Sequence, residues 1–358
     1  MKLAVVLFNL GGPDAPEAVE PFLRNLFSDP DIIALPALLR LPLGRFIARR
    51  RAPIAQKIYG HIGGRSPIFE ETRAQADALE KVLSGDGVEA KAFVAMRYWH
   101  PFSDGAARAV KAFNPDKIVL LPLYPQFSTT TTGSSLKDWA RAARKAELDK
   151  PTSRVCCYPW EPGFVTAAAA KIRNVMTGAP ENISWRLLLS AHGLPKRTVA
   201  KGDPYQWQVE RSAEAIVKAL AMPQLEPPIF DYRVCYQSRV GPLEWITPST
   251  DAEIIRAGRD GKGVVVAPIA FVSEHSETLV ELDIEYRRLA DEHGVPDYRR
   301  AATVGTHPDF IAALAGLVRQ ALEGKIVTCA EGRICPTNHS RCGYGAPSAD
   351  ARKNQGKT

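Results

Sequence analysis

Short apolar runs that alternate with helical patterns along the whole chain are the feature that most restricts its possible folds. Eight runs read as strands: LAVVLFNLG, AKAFVAMRY, KIVLLPLYP, SRVCCYPW, WRLLLSAHG, DYRVCYQS, GVVVAPIAFV and DYRRAATVG. Strands that are apolar on both faces and separated by helices indicate parallel sheets covered by helices. We therefore predict an α/β fold with two doubly wound (Rossmann-like) domains, each with a four-stranded parallel β-sheet flanked by helices.

The eight strands divide into four and four at NVMTGAPENIS, residues 174–184, which is rich in turn-forming residues. This predicts an N-terminal domain over 1–175, a C-terminal domain over 176–325 and a C-terminal extension over 326–358. The stretches IVLLPLYPQFSTTTTGSSL and VVVAPIAFVSEHSETLVEL both run from a strand through a polar turn into a helix. The two halves therefore resemble each other.

Charge and cysteine content narrow the classes of partner. No window approaches the roughly 18 consecutive apolar residues of a membrane span, and the first apolar run reads as a strand. Six cysteines in 358 residues do not indicate a secreted disulfide scaffold, so we expect a cytoplasmic protein whose clustered cysteines bind metal. The net charge of +7 is concentrated in short segments, but no nucleic-acid-binding motif accompanies it, so we expect no nucleic-acid partner.

Ligands of such sheets bind beyond the carboxyl ends of the strands, so the polar residues found there are the candidates for chemistry. His192 follows an apolar strand in LLLSAHGLPKR. A lone histidine is often only a hydrogen-bonded polar residue, but it can also move a proton or bind a metal.

A second candidate is the row of acids that follows the strand VVVAPIAFV. At about 100° per residue, Glu274, Glu277, Glu281 and Glu285 fall within an arc of about 80° on an α-helix, and Asp283 points the other way. A solvated helix face would also explain acids, and the helix dipole favours them in the first turn only. A row of like charges makes more sense if a cation or protons travel along it. The residues predict metal delivery, proton removal or both.

Seven motifs in order along the chain resemble the ferrochelatase family, which inserts ferrous iron into a porphyrin to make haem. They are NLGGPDAPEAVEPFLRNLFSDPDII, YGHIGGRSP, RYWHP, YPQFSTTTTGSSL, SAHGLP, CYQSRVGPLEWI and SEHSETLVELDIEY. The resemblance implies a lyase with protoporphyrin IX and Fe²⁺ as substrates and a porphyrin cleft between the two domains. The alternatives are a coproporphyrin or cobalt chelatase, or a non-catalytic haem carrier.

The resemblance also assigns residues. His192 corresponds to the family's proton acceptor or metal ligand, and Glu277 to the carboxylate opposite it. Glu281 and Glu285 correspond to the acidic line that leads away, with Glu274 and His275 beside them. The remaining matches line the porphyrin pocket and are Tyr59, Ser66, Arg97, Tyr98 and Trp245.

The basic stretch LLRLPLGRFIARRR, Leu38 to Arg51, corresponds to the family's lip over the pocket mouth, about 35–55. Its apolar side chains can cover a macrocycle or touch a membrane, while arginines such as Arg51 meet propionates or lipid head groups. The alternative is an ordinary amphipathic helix packed on its own domain. We expect peripheral contact with the inner face of the membrane or with an upstream porphyrin enzyme.

Three cysteines near the C-terminus, Cys329, Cys335 and Cys342, are not spaced as a zinc pair. Some ferrochelatases bind a 2Fe-2S cluster through three such cysteines and one internal cysteine, which implies the same here. The fourth ligand is then Cys156 or Cys157, only one of which can face the cluster, and Cys156 is favoured. A zinc site completed by His339, or free thiols, are the alternatives.

Overall fold

Two parallel sheets form the framework, and the computed structural model describes residues 1–85, 87–221, 231–238, 243–324 and 326–345. The strands are β1 (Lys2–Asn9), β2 (Glu89–Met96), β3 (Lys117–Pro122), β4 (Thr152–Cys157), β5 (Trp185–His192), β6 (Asp231–Gln237), β7 (Gly263–Pro268), β8 (Tyr298–Arg300) and β9 (Ile326–Thr328). The first sheet has the order β2-β1-β3-β4-β9 and the second β6-β5-β7-β8. Every pairing is parallel.

Helices cover the sheets. They are α1 (Val19–Phe27), α2 (Ala37–Gly60), α3 (Ile68–Leu83), α4 (Ser103–Phe113), α5 (Thr132–Lys145), α6 (Pro162–Met176), α7 (Lys196–Ala200), α8 (Tyr205–Leu220), α9 (Thr250–Arg259), α10 (Tyr286–Glu292) and α11 (Pro308–Glu323), with a 3₁₀ turn at Pro16–Ala18 and a π-helix at Glu277–Glu285. β1 and β7 are buried along nearly their whole length, as expected for strands covered on both faces.

The α/β architecture with two parallel sheets is confirmed, and both halves have the same strand order. Counted within its own half, each sheet runs second, first, third, fourth strand. This agrees with the similar strand–turn–helix stretches of the sequence.

The C-terminal part of the chain returns to the first half, which the sequence did not indicate. β9 pairs with β4 and gives the first sheet a fifth strand, so the prediction of four strands there was incomplete. α11 also packs on the first half, where Arg319 donates to the carbonyl of Val82 at 2.9 Å. The segment 326–345 is therefore attached to the first sheet, and the rest of the predicted extension lies outside the described residues.

Polar side chains join the two halves at the carboxyl ends of their strands. Asn9 donates to Ser273 Oγ at 3.3 Å, and Gln75 donates to the carbonyl of Val272 at 2.7 Å. Gln126 donates to the carbonyl of Ile269 at 3.0 Å. Because buried polar groups need partners, these hydrogen bonds fix the two sheets relative to each other. The carboxyl ends of both sheets therefore lie on either side of one boundary, which we call the cleft.

Candidate active site

His192 is the last residue of β5 and faces the cleft. Its Nδ1 lies 2.7 Å from the carbonyl oxygen of Gly193. A carbonyl oxygen only accepts, so Nδ1 donates, and the neutral ring keeps its lone pair on Nε2. Gly193 has no side chain, which lets the ring of Trp245 pack against it: a Cβ there would lie 3.1 Å from Trp245 Cε3. The imidazole is thus held through Nδ1, and its basic Nε2 is left to face another side chain.

Glu277, the first residue of the π-helix, faces two imidazoles. Its Oε2 lies 3.7 Å from His192 Nε2 and 3.8 Å from His275 Nε2. Both separations exceed the length of a hydrogen bond, and this buried oxygen has no hydrogen-bond partner among the described residues. Burial would raise the pKa of Glu277, but the interactions with His192, His275 and Ser238 outweigh it and lower the pKa to about 2. The result is an ionised oxygen with room for a further partner.

His275 is buried, and like His192 it directs its Nδ1 to a backbone carbonyl oxygen. Its Nδ1 donates to the carbonyl of Ser273 at 3.1 Å, which leaves Nε2 as the nitrogen that faces Glu277. Two imidazole nitrogens therefore lie on either side of one carboxylate oxygen, and the side chains of His192 and Glu277 are neighbours.

The prediction of a single α-helical stripe of four glutamates was wrong in its geometry. The helix is a π-helix with i→i+5 hydrogen bonds, and it begins at Glu277, so Glu274 lies in the loop before it. Glu274 forms an ion pair with Arg300 at 2.9 Å. Asp283 pairs with the same arginine at 2.7 Å, so it shares a partner with Glu274. The charge of Glu274 is therefore already balanced by a neighbour.

Glu281 and Glu285 continue from Glu277 toward the surface. Oε1 of Glu281 accepts from the backbone amide of Ser238 and from the hydroxyl of Tyr286, both at 2.9 Å. Burial and the charge of Glu277 raise the pKa of Glu281. Glu285 is exposed at the far end of the same helix. Glu277, Glu281 and Glu285, none of which pairs with a lysine or arginine among the described residues, thus lead from the cleft to solvent.

Asp29 organises two of the predicted pocket residues of the first half. The Asp29 carboxylate accepts from Arg97 Nη2 and from the Tyr98 hydroxyl, each at 2.8 Å. Tyr98 is almost wholly buried, whereas Arg97 retains partial exposure. Asp29 was not singled out from the sequence, although it stands inside the motif SDPDII.

Tyr59 and Ser66 approach the cleft from α2 and the following loop. The Tyr59 hydroxyl accepts from Ser276 Oγ at 3.4 Å, which brings it beside Glu277, and burial raises its pKa to about 12. Ser66 packs so closely on Gly12 that a Cβ on the glycine would lie 2.5 Å from Ser66 Cβ. The loop after β1 and the loop before α3 are therefore held together there.

The lip is an exposed part of α2. Its small residues Gly44, Ala48 and Ala52 are buried at i, i+4 and i+8, and Gly44 lies against the Phe27 carbonyl of α1. The large apolar residues point to solvent, with Leu38 89% and Phe46 62% exposed. The helix therefore packs on its own domain through its small residues and leaves these large apolar side chains exposed. Arg51 is half-buried on the same helix.

Pairwise contacts between thiols occur where β4 approaches the C-terminal segment. The Cys342 thiol contacts those of Cys156 and Cys335, and these contacts lower its pKa. Gln208 Nε2 lies 3.4 Å from the Cys157 sulfur and 3.0 Å from the Cys335 sulfur. Cys329 lies near the Trp160 backbone and within electrostatic reach of Cys157, and burial raises its pKa to about 12. Within residues 1–345, apart from the undescribed gaps, no three His, Cys, Asp or Glu side chains form a group that could hold a metal ion.

None of the helices in the described ranges is long and apolar enough to cross a membrane.

Trp245 lies beside His192, and the centroids of the two rings are 6.5 Å apart. Arg239, which also follows β6, lies outside the described residues.

Two parallel sheets with an imidazole and carboxylates between their carboxyl ends define a protein of the chelatase fold. The fold is similar to the structure "SirB from Bacillus subtilis with Fe3+", with a TM-score of 0.52 at 15% identity over 90% of this chain and 96% of that one. The family model described as Ferrochelatase matches residues 2–322.

Curated relatives agree with that match. The Ferrochelatase of Phenylobacterium zucineum (strain HLK1) is 54% identical over 96% of this chain and 98% of its own length. The Ferrochelatase of Caulobacter vibrioides (strain NA1000 / CB15N) is 54% identical over 95% of this chain and 97% of its own length. The chain belongs to the ferrochelatase family, the metal-inserting lyases of haem biosynthesis.

Proposed function

We propose that this ferrochelatase binds protoporphyrin IX in the cleft between its two sheets and inserts Fe²⁺ to form protohaem. One observation carries the proposal: Glu277 Oε2 lies between the Nε2 atoms of His192 and His275 at 3.7 and 3.8 Å, without a hydrogen bond to either. Basic nitrogens and an ionised oxygen that face the same hollow can receive protons or contact a metal ion.

The reaction requires the two inner N–H protons of the porphyrin to leave and the nitrogen lone pairs to turn toward the iron. A pocket that binds the bent macrocycle better than the flat one lowers this barrier. Because Nδ1 of His192 is occupied by Gly193, Nε2 is the atom that accepts a proton, and the ionised Glu277 stabilises the imidazolium that forms.

Glu281 and Glu285 extend this centre to the surface, and we assign them to the passage of protons outward or Fe²⁺ inward. The raised pKa of Glu281 supports the proton route, since a carboxyl that titrates closer to neutrality exchanges protons more readily. Glu274 and His275 contribute differently: the first is balanced by Arg300, and the second faces Glu277.

The function is tested by offering Fe²⁺ anaerobically with protoporphyrin IX or with coproporphyrin III and following the loss of free-base porphyrin fluorescence. We expect faster turnover with protoporphyrin IX. Preference for coproporphyrin III would assign the chain to the coproporphyrin enzymes, insertion of Co²⁺ alone would indicate a cobalt chelatase, and binding without turnover would indicate a carrier.

We further propose that the exposed apolar side of α2 contacts the inner face of a membrane, with the protein otherwise cytoplasmic. Exposed leucines beside Arg45, Arg49 and Arg50 have the composition that binds anionic lipid surfaces. An upstream porphyrin-producing enzyme is the alternative partner for the same side chains.

The pair of substitutions Leu39→Glu and Phe46→Glu is expected to lower affinity for vesicles containing phosphatidylserine by roughly 100-fold. Each substitution removes about 1.5 kcal/mol of binding free energy, because an apolar side chain is no longer transferred from water into the membrane. This amounts to about a tenfold loss of affinity per substitution. Co-sedimentation at low salt measures the effect. Phe69→Glu is the matched control, because Phe69 is also exposed but lies on α3. Equal binding of both variants would contradict the membrane proposal.

The cysteines support a resident 2Fe-2S cluster, which we propose is held by Cys156, Cys329, Cys335 and Cys342. Cys342 contacts Cys156 and Cys335 pairwise, although the described side chains do not form a closed metal-binding group, and thiolates are the usual ligands of such clusters. Bound there, the cluster would supply one-electron chemistry and would join the C-terminal segment to β4. Zinc with His339 remains the alternative.

Iron and acid-labile sulfide analysis tests the ligand set. We expect Cys156→Ser, Cys335→Ser and Cys342→Ser each to abolish the visible absorption of the cluster. Comparison of Cys329→Ser with Cys157→Ser decides the fourth ligand, since no contact of Cys329 with Cys342 or Cys335 is seen within the described part of the chain and Cys157 shares Gln208 with Cys335. Cys235→Ser, in the core of the second half, is the control that should retain two irons. Zinc without sulfide in the purified protein would overturn the proposal.

A further inference from the structure

Arg300, the last residue of β8, bridges two carboxylates on either side of the start of the π-helix. Its Nη1 donates to Glu274 Oε1 at 2.9 Å, and its Nε donates to Asp283 Oδ1 at 2.7 Å. The arginine side chain is only 11% exposed. The strand holds its backbone in place, because Arg300 pairs with Val266 of the buried strand β7. The bridge is therefore anchored in the second sheet.

This bridge separates the acids of the segment into two groups. Five acids stand between residues 274 and 285, and Arg300 pairs with two of them. Glu274 also accepts from the backbone amide of Thr303 at 2.9 Å. The acids that have no lysine or arginine partner among the described residues are Glu277, Glu281 and Glu285, the same three that lead from the cleft to the surface.

The bridge also spans the point at which the helix begins. Glu274 lies in the loop before the π-helix, and Asp283 lies within it. A π-helix is rare, and a change to α-helical hydrogen bonding would rotate its side chains relative to the cleft. Two fixed N–H directions from one planar guanidinium restrain both positions at once, which a single ammonium group cannot do.

We infer that Arg300 is a positioning residue, which holds the π-helix in the register that directs Glu277 toward His192 and Glu281 toward Ser238. The inference rests on the proposed roles of His192 and Glu277. Arg300 itself does not contact the hollow between these two side chains, so it acts on the reaction only through the acids that it leaves unpaired and in place.

Arg300→Lys tests the bridge because it keeps the positive charge and removes the planar guanidinium that donates to both carboxylates. We expect kcat for iron insertion to fall on the order of 10–100-fold, since displacements of about 1 Å at a catalytic group have effects of this size. The KM for porphyrin should change less than about threefold, as the pocket wall of the first half is untouched. Rates are normalised to porphyrin-binding sites, so that loss of folded protein does not count.

Arg299→Gln is the matched control on the same strand. Arg299 donates to the Val175 carbonyl at 2.7 Å and to Asp297 at 2.9 Å, away from the π-helix. We expect this variant to lose thermal stability but to keep kcat per binding site.

Asp283→Asn removes the negative charge that pairs with Arg300 within the π-helix. Because it acts on the same bridge as Arg300→Lys, we expect the double variant Arg300→Lys/Asp283→Asn to be no slower than the worse single variant. Wild-type kcat in Arg300→Lys, or additive losses in the double variant, would overturn the inference. If His192→Ala also kept wild-type kcat, the proposed function of the site would fail as well, so the two failures are distinguishable.

Discussion

His192→Ala is expected to lower kcat for iron insertion about 10³-fold, within the range of about 10²–10⁴ that a positioned acid–base group contributes. Nδ1 is fixed on the Gly193 carbonyl, so the substitution removes the basic Nε2 that lies 3.7 Å from Glu277. Porphyrin should still bind, because Tyr59, Arg97 and Trp245 are unchanged. Anaerobic turnover and quenching of protein fluorescence by porphyrin measure the two quantities separately.

The control for this substitution is His293→Ala, which removes an exposed imidazole at the end of α10. We expect its kcat to equal that of the wild type. Because the His192 side chain is 35% exposed, added imidazole should enter the space left in His192→Ala and restore part of the rate. A His192→Ala enzyme that retains kcat within twofold would contradict the role of proton acceptor.

Much of the site could be predicted because parallel strands bring their carboxyl ends to one edge. His192 ends β5, and the acids follow β7, its hydrogen-bonded neighbour in the sheet. The histidine and the acids are therefore brought to the same edge of the sheet, and the loop after β7 decides which acid faces the histidine. The same reasoning gave the two-sheet architecture, since nearly every strand was visible as an apolar run of the right length.

The geometry of the acidic helix could not be predicted, because its amino acids are equally compatible with α-helical spacing. The sequence signal for Glu274 was its distance of three residues from Glu277, which an α-helix would place on the same face. The π-helix begins only at Glu277, and Arg300, 26 residues further along, captures Glu274 instead. Long-range ion pairs of this kind leave no local pattern in a sequence.

The structures of the lip and of the C-terminal segment also could not be predicted from local sequence alone. The sequence of α2 contains Pro42 and no acid, but only the packing shows that its small residues face α1 and its large ones face solvent. The three residues of β9 are too short to be recognised as a strand without β4 beside them. In both places the neighbour decides the structure.

Glu277→Gln is expected to lower kcat about 100-fold, equivalent to about 2.7 kcal/mol of transition-state stabilisation. The amide keeps the shape of the side chain but cannot stabilise the positive charge that His192 gains when it accepts a proton. Fe²⁺ would also lose the ionised oxygen that faces both imidazoles. Single-turnover mixing of enzyme-bound protoporphyrin IX with Fe²⁺ measures the loss directly.

The same substitution should move the titration of Glu281. In the wild type, burial and the negative charge of Glu277 raise the pKa of Glu281, so this carboxyl keeps its proton to a higher pH than an ordinary glutamate. The neutral amide of the Glu277→Gln variant removes the repulsion, and the pKa of Glu281 should fall toward the ordinary value of about 4.3. The acid limb of the kcat/KM profile, or carboxyl NMR of Glu281, should therefore shift to lower pH. Glu292→Gln, on the exposed face of α10, should leave both the rate and this limb unchanged. If Glu277→Gln left the titration of Glu281 where it is, the two acids would not form a coupled path out of the cleft.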